Sequence, residues 1–545
     1  MNTRLRYFLL VATGILAFSC EQEFKSFTND PCLGADPSII CPPITPDPPC
    51  PRVSGTAILE HFVAIGNSIV AGYQAGALYN EGQDNSLAMI LAAQFRCDPV
   101  LFDQPDISSV NGFNATFSNP GLGVIRGRLV LFDAGTGAGP LPTPAGTPGL
   151  PAPYNTADLP GPYTGDKGQL DNFGVPGIVL GQVLTPLTGG PSTGNPAFNP
   201  YYARFASNPG TSTILGDAIA AQGSFYLFWL GINDVLGYAI TGASGALPMT
   251  EENDFAVQYN AALSTLLAST QEVVTGVVGN IPDVTRFPYF NTVTWNAIEF
   301  DPEDPVDAGT VNLLNGAFAG FNAALDGLVA NGLLSAGDAA IRKVSYVLGE
   351  NPVLINDEEL EDLGPKFDIL LGAGAITPEQ RSALALYEQA RPLNDQELVT
   401  FPAALVLGTL ANPADPTSIF GVVVPISDEF TLTETEIAGI TERIDAFNTI
   451  IASEVGNSNN RIALADINNA YSTFFTQGID VQDGVVLTPG FAPPTGTFSE
   501  DGIHPNSRGN AYLANFFIDA INAKFGGSIP HADVGDYPAT GLPLP

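Results

Sequence analysis

Histidine is the scarcest chemistry-bearing residue in this chain: 3 among 545 residues, at His61, His504 and His531. That count excludes a metal centre built on clustered imidazoles, and it leaves any histidine-based proton transfer very few places to occur. Basic residues are also few, with 19 Lys and Arg against 56 Asp and Glu and a formal net charge of −37. Such a balance excludes nucleic acid as a partner and argues against electrostatic attraction to anionic membranes. Charged residues of both signs make up only 14% of the chain while hydrophobic residues make up 45%, which excludes a disordered polymer and requires a large core. Beyond the first twenty residues, no segment reads as long and apolar enough to span a bilayer. At 545 residues the chain exceeds one ordinary domain, so two domains or one domain with long insertions is expected.

The first twenty residues carry Arg4 and Arg6, an apolar stretch from Tyr7 to Leu16, and then Ala17-Phe18-Ser19-Cys20. This resembles a bacterial lipoprotein signal over residues 1–19, with Cys20 becoming the lipidated first residue of an exported, membrane-anchored protein. An ordinary secretory signal fits the same pattern, and both place the protein outside the cytoplasm. Residues 20–54 include Cys32, Cys41 and Cys50 in a proline-rich run and read as a tether. With Cys97 these permit two disulfides in three pairings. The spacings are too wide, and histidine too distant, for a zinc site.

From about residue 55 short apolar runs alternate with helical patterns, which predicts an α/β fold with a mostly parallel sheet. Strands are expected at Phe62–Ile65, Phe225–Leu230, Val273–Val278 and Arg461–Asp466. Asn85 or Ser86 caps a helix through Phe95, Thr250 opens another, and Thr433 with Glu436 forms a capping box for a third. The last helix is expected at Arg508–Phe525, followed by a tail from 528 to 545. Residues 98–171 read as a long loop whose Gly/Pro/Thr middle belongs to the surface, and residues 295–430 as an inserted cap of short helices and loops.

Two segments bear on chemistry. In His61–Tyr73, HFVAIGNSIVAGY, a buried strand ends at Gly66 and delivers Ser68 onto a turn, which is how an α/β enzyme presents a nucleophile. In Ser499–Pro505, SEDGIHP, Asp501 lies three residues before His504 on a tight turn, so that one ring nitrogen can meet the carboxylate while the other faces a nucleophile. His61 sits at the far end of the first strand from Ser68, and His531 lies in the tail. The sequence Gly190-Pro191-Ser192-Thr193-Gly194 fits the G-x-S-x-G pattern of other hydrolases, but proline and glycine crowd both sides where a strand and a helix are required.

Ser68 in GNS, Gly177 in NFGVPG, Asn233 in GIND, and Asp501 with His504 in DGIHP occur in the order and contexts of the SGNH (GDSL-like) hydrolase family, which this chain resembles over its α/β elements. The resemblance implies a flavodoxin-like three-layer α/β/α sandwich with insertions. It further implies a serine esterase or lipase that uses Ser68, His504 and Asp501, with an oxyanion hole from the Ser68 and Gly177 N–H groups and the Asn233 amide. No cofactor or metal is implied, and the substrate would be a small-molecule, lipid or carbohydrate ester. Asn67 stands where the family usually has aspartate; that aspartate is not the triad acid, so the role of Ser68 is unaffected. Acyl transfer to a carbohydrate hydroxyl, or ligand binding on the same fold without turnover, are the other functions compatible with these residues.

Overall fold

The computed structural model describes residues 53–96, 102–135, 139–268 and 274–544. Cys20, the tether cysteines and Cys97 lie outside them.

Five strands form one all-parallel sheet: β1 Phe62–Gly66, β2 Asn172–Gly174, β3 Phe225–Trp229, β4 Thr275–Gly279 and β5 Ile462–Ala465. Their order across the sheet is β5-β4-β3-β1-β2. β1 pairs with β3 from Phe62 opposite Phe225 to Gly66 opposite Trp229, and with β2 up to Gly66 opposite Gly174. The chain therefore leaves β1 toward one edge and returns on its other side, opening a crevice at the carboxyl ends where side chains can converge. All of β1, β3 and β4 is buried, as expected of a parallel sheet covered on both faces.

Helices cover both faces. Adjacent residues of β3 point in opposite directions. The Trp229 ring packs edge-on to Phe517 in the helix α8, Ser507–Phe525. The Phe228 ring packs on Tyr259 in the helix α5, Glu252–Ala268. α8 is joined on its face by α2, Leu87–Phe95, and α5 packs between α3, Ile214–Ala220, and α7, Glu434–Gly456. Phe255 of α5 stacks on Phe447 of α7 with ring centroids 3.7 Å apart. The capping box of α7 forms between Thr433 and Glu436. Thr250 does not cap α5; its hydroxyl donates to Asp234 Oδ1 at 2.7 Å.

Three expectations are corrected. The 98–171 region is not loop throughout: Leu129–Phe132 pairs antiparallel with Leu141–Pro144 inside the proline-rich stretch. Prolines 142 and 144 belong to a two-stranded ribbon, where few ladder N–H groups are needed. The 295–430 region has its own apolar core, which Val293 joins, and contains the 26-residue helix α6, Pro305–Ala330. Its start signals, Asp304 as cap and Pro305 in the first turn, were legible, but Gly309, Gly316 and Gly320 break its apolar period. By length and composition α6 is also apolar enough to cross a membrane, contrary to expectation. It nevertheless buries Phe318, Phe321, Leu325 and Leu328 in the insertion core, and its Asn315 and Asn322 amides donate to the Tyr346 and Val344 carbonyls.

Where the insertion leads into α7, Asp428 is buried and neither carboxyl oxygen has a partner among the described residues. Burial, followed by the charges of Glu436, Asp357, Glu358 and Glu359, raises its pKa from 3.8 to about 8. Burial likewise raises Glu436 to about 7, against the hydrogen bonds from Thr433. Both groups hold their protons more tightly folded than unfolded, so the unfolded chain has fewer bound protons between about pH 4 and pH 8, and stability falls as pH rises across that window and levels off above it. The melting temperature should therefore decline from pH 5 to pH 8.5, and Asp428→Asn should flatten that decline. An unchanged slope in the variant would contradict this account of the junction.

Candidate active site

β1 ends at Gly66, where a Cβ would collide with the Val70 side chain and the Trp229 carbonyl; only glycine lets the chain turn there so close to β3. Asn67 follows and caps the single-turn helix α1, Ser68–Ala71, its Oδ1 accepting from the Ile69 N–H at 2.9 Å. Asn67 is fully buried, and its Nδ2 has no partner among the described residues. Ser68 thus occupies the first position of a helix, where backbone N–H groups lack intrahelical acceptors.

The loop before α8 folds back on this turn. His504 Nε2 lies 2.9 Å from Ser68 Oγ, and His504 Nδ1 lies 2.8 Å from Asp501 Oδ2. Asp501 is heavily bonded: Oδ1 accepts from the Ile503 and His504 N–H groups and the Ser499 hydroxyl, and Oδ2 accepts from the Gly76 N–H as well as facing the imidazole. Burial would raise this carboxyl, but the His504 charge, its ring hydrogen bond and the two neighbouring backbone N–H groups outweigh burial and hold it below the ordinary carboxylate range. It is therefore ionised at neutral pH and fixes the ring so that Nε2 faces the hydroxyl.

On the other side of Ser68, Gly177 follows β2 with φ +72 and is exposed. Neither its N–H nor that of Ser68 has an acceptor among the described residues. Asn233 begins the helix α4, Asn233–Ile240, just after β3. One of its amide hydrogens goes to the Ile178 carbonyl at 2.9 Å, which leaves the other available. Asp234, beside it, is buried and accepts from the Leu180 N–H at 2.9 Å. Two successive side chains from the end of β3 thus pin the segment that carries Gly177.

Several positioning residues were not legible from the sequence. Tyr73 donates its hydroxyl to the Gly76 carbonyl at 2.6 Å and its N–H to the Ser68 carbonyl at 2.9 Å, and its ring lies 4.9 Å from that of His504. The Ser499 hydroxyl also accepts from the Ala75 N–H at 2.8 Å. The turn at 73–77 therefore ties the serine's helix to the acid–base loop. Tyr201 and Phe113 extend an aromatic wall from Tyr73. The signal for Tyr73 was its place at the end of the serine segment, but its role depends on a loop more than 400 residues away.

The other histidines form separate pairs: His61 lies 2.7 Å from Asp171 and His531 lies 2.7 Å from Asp519. Ser192 of the G-x-S-x-G pattern is exposed in a loop. No group of His, Cys, Asp and Glu suited to a metal occurs among the described residues. Comparison of the chain with family models, with curated proteins and with solved structures finds no match.

Proposed function

We propose that this chain is an exported serine esterase of the SGNH (GDSL-like) type, with a flavodoxin-like three-layer fold, which cleaves carboxylic esters through an acyl-enzyme on Ser68. One observation carries the reading: the continuous relay from Asp501 through His504 to Ser68 Oγ, with bonds of 2.8 and 2.9 Å, at the carboxyl edge of a parallel sheet. In this reading Ser68 Oγ attacks the ester carbonyl as His504 Nε2 takes its proton. The same proton then passes to the departing alkoxide, and water repeats the sequence to release the acid. Asp501 stabilises the imidazolium without taking the proton. The developing oxyanion would accept from the unpaired N–H groups of Ser68 and Gly177 and from the free hydrogen of Asn233. A lipid on Cys20 would hold the enzyme at a membrane.

The test is hydrolysis of short- and long-chain p-nitrophenyl esters by the wild type and by Ser68→Ala; equal rates in the two would overturn the assignment. Asn233→Ala should reduce kcat by about 10²–10³-fold with a much smaller change in KM, because the lost donor acts on charge that exists only in the transition state. A variant that changed KM alone would remove Asn233 from the oxyanion role.

A further inference from the structure

Two separate segments flank Ser68. Asn233 opens α4 at the end of β3, whereas Asp501 and His504 arrive on the turn before α8. Among the described residues no hydrogen bond joins α4 directly to the 499–505 turn. Tyr289 bonds to both.

Tyr289 lies in the single-turn helix Pro288–Asn291, on the chain between β4 and the 295–430 insertion. As the second residue of that helix, its N–H lacks an acceptor in its own turn and is free to reach outward. It donates to the Gly502 carbonyl at 2.9 Å, inside the turn that carries Asp501 and His504. The contact is close enough to exclude a side chain at 502: Gly502 has φ +71, and a Cβ there would lie 2.8 Å from the Tyr289 nitrogen. At its other end Tyr289 donates its hydroxyl to the Ile240 carbonyl at 3.1 Å. Ile240 is the last residue of α4, where carbonyls have no intrahelical donors. Burial holds this phenol above the ordinary tyrosine range, so it stays protonated and remains a donor.

One side chain thus braces the end of α4 against the acid–base turn. Asn233 and Ile240 are opposite ends of the same 8-residue helix, so a shift at Ile240 is carried to Asn233. The reaction proposed above needs the Asn233 amide and His504 to meet one ester group, in a geometry held to about 0.5 Å. We propose that Tyr289 is a positioning residue that sets the spacing between the Asn233 donor and the Asp501–His504 pair. Its kinetic consequence rests on the esterase reading; the brace itself does not.

Tyr289→Phe tests this in the full chain, because it removes the bond to Ile240 and keeps the ring and the bond to Gly502. The kcat for p-nitrophenyl ester hydrolysis should fall by about five- to fiftyfold with KM within about twofold, since a misplacement of roughly 1 Å can cost 10²-fold. Made in Asn233→Ala, the same change should cost less than about twofold, because the donor it displaces is already gone. A merely structural contribution would cost the same factor in both backgrounds, and that additivity would overturn the proposal. A second measurement needs no turnover. With isotope-labelled isoleucine methyl groups, Tyr289→Phe should shift the NMR signals of Ile232, beside Asn233, and of Ile503 in the turn. Those of Ile298 and Ile355 in the insertion core should stay in place and report an intact fold. A change confined to Ile240 would overturn the brace. If the wild type turns over no ester, the esterase reading falls, while the methyl signals still decide whether Tyr289 couples the two segments.

Discussion

Ser68→Ala should lower kcat/KM for p-nitrophenyl ester hydrolysis on the order of 10⁴–10⁶-fold, the range in which loss of a serine nucleophile leaves only what binding and oxyanion donors supply. The fold should be preserved. Among the described residues Ser68 Oγ bonds only to His504 Nε2, and the cap that holds its helix belongs to Asn67. An unchanged melting temperature beside lost turnover would separate chemistry from structure. A residual rate within tenfold of wild type would show that another group carries the attack. If neither protein turned over any ester, the same site would be better read as a binding cleft.

Asp501→Asn should reduce kcat by about 10⁴-fold, the typical cost of holding a catalytic histidine in the wrong tautomer. The local geometry explains why asparagine cannot substitute. If its NH₂ takes the place of Oδ2, it meets the Gly76 N–H and donates to His504 Nδ1; the ring proton then sits on Nε2 and faces Ser68, where a base is needed. If the amide is reversed, its NH₂ meets the Ile503 and His504 N–H groups instead. Either orientation sets donor against donor, so a loss of stability should accompany the loss of rate. The check is kcat across pH together with the thermal midpoint. A variant with near-normal kcat would mean that the imidazole is oriented by something other than this carboxylate.

How far the sequence revealed the molecule depended on the range over which each signal acts. β1 and β3 were legible because Phe62–Ile65 and Phe225–Trp229 are unbroken apolar runs, and α7 because its capping box is encoded within four residues. β2 was not, since Asn172-Phe173-Gly174 is too short and mixed to show a strand period; it exists because Gly66 and Ala64 of β1 offer it partners. α6 was missed because its buried positions are diluted by glycine and asparagine on its other faces. At the site, Ser68 and the Asp501–His504 pair stood out because the relevant geometry is local and histidine is so rare. Gly76, Ser499 and Asp234 gave no such signal, and Tyr73 gave only its place beside the serine: what each one does is defined by a partner brought close only by the fold.

The bond between Ser68 and His504 joins residues 436 positions apart. At about 5–20 residues per second of synthesis, roughly twenty to ninety seconds separate the appearance of the Ser68 hydroxyl from that of the imidazole that faces it. Under the proposed mechanism the growing chain is inert: β1 and α1 can form early, but the contact with His504 closes only when the loop before α8 arrives. A chain cut anywhere between these two segments, with the pieces apart, carries a serine no more reactive than any other. For the proposed esterase, dormancy during synthesis would follow from the order of the elements alone.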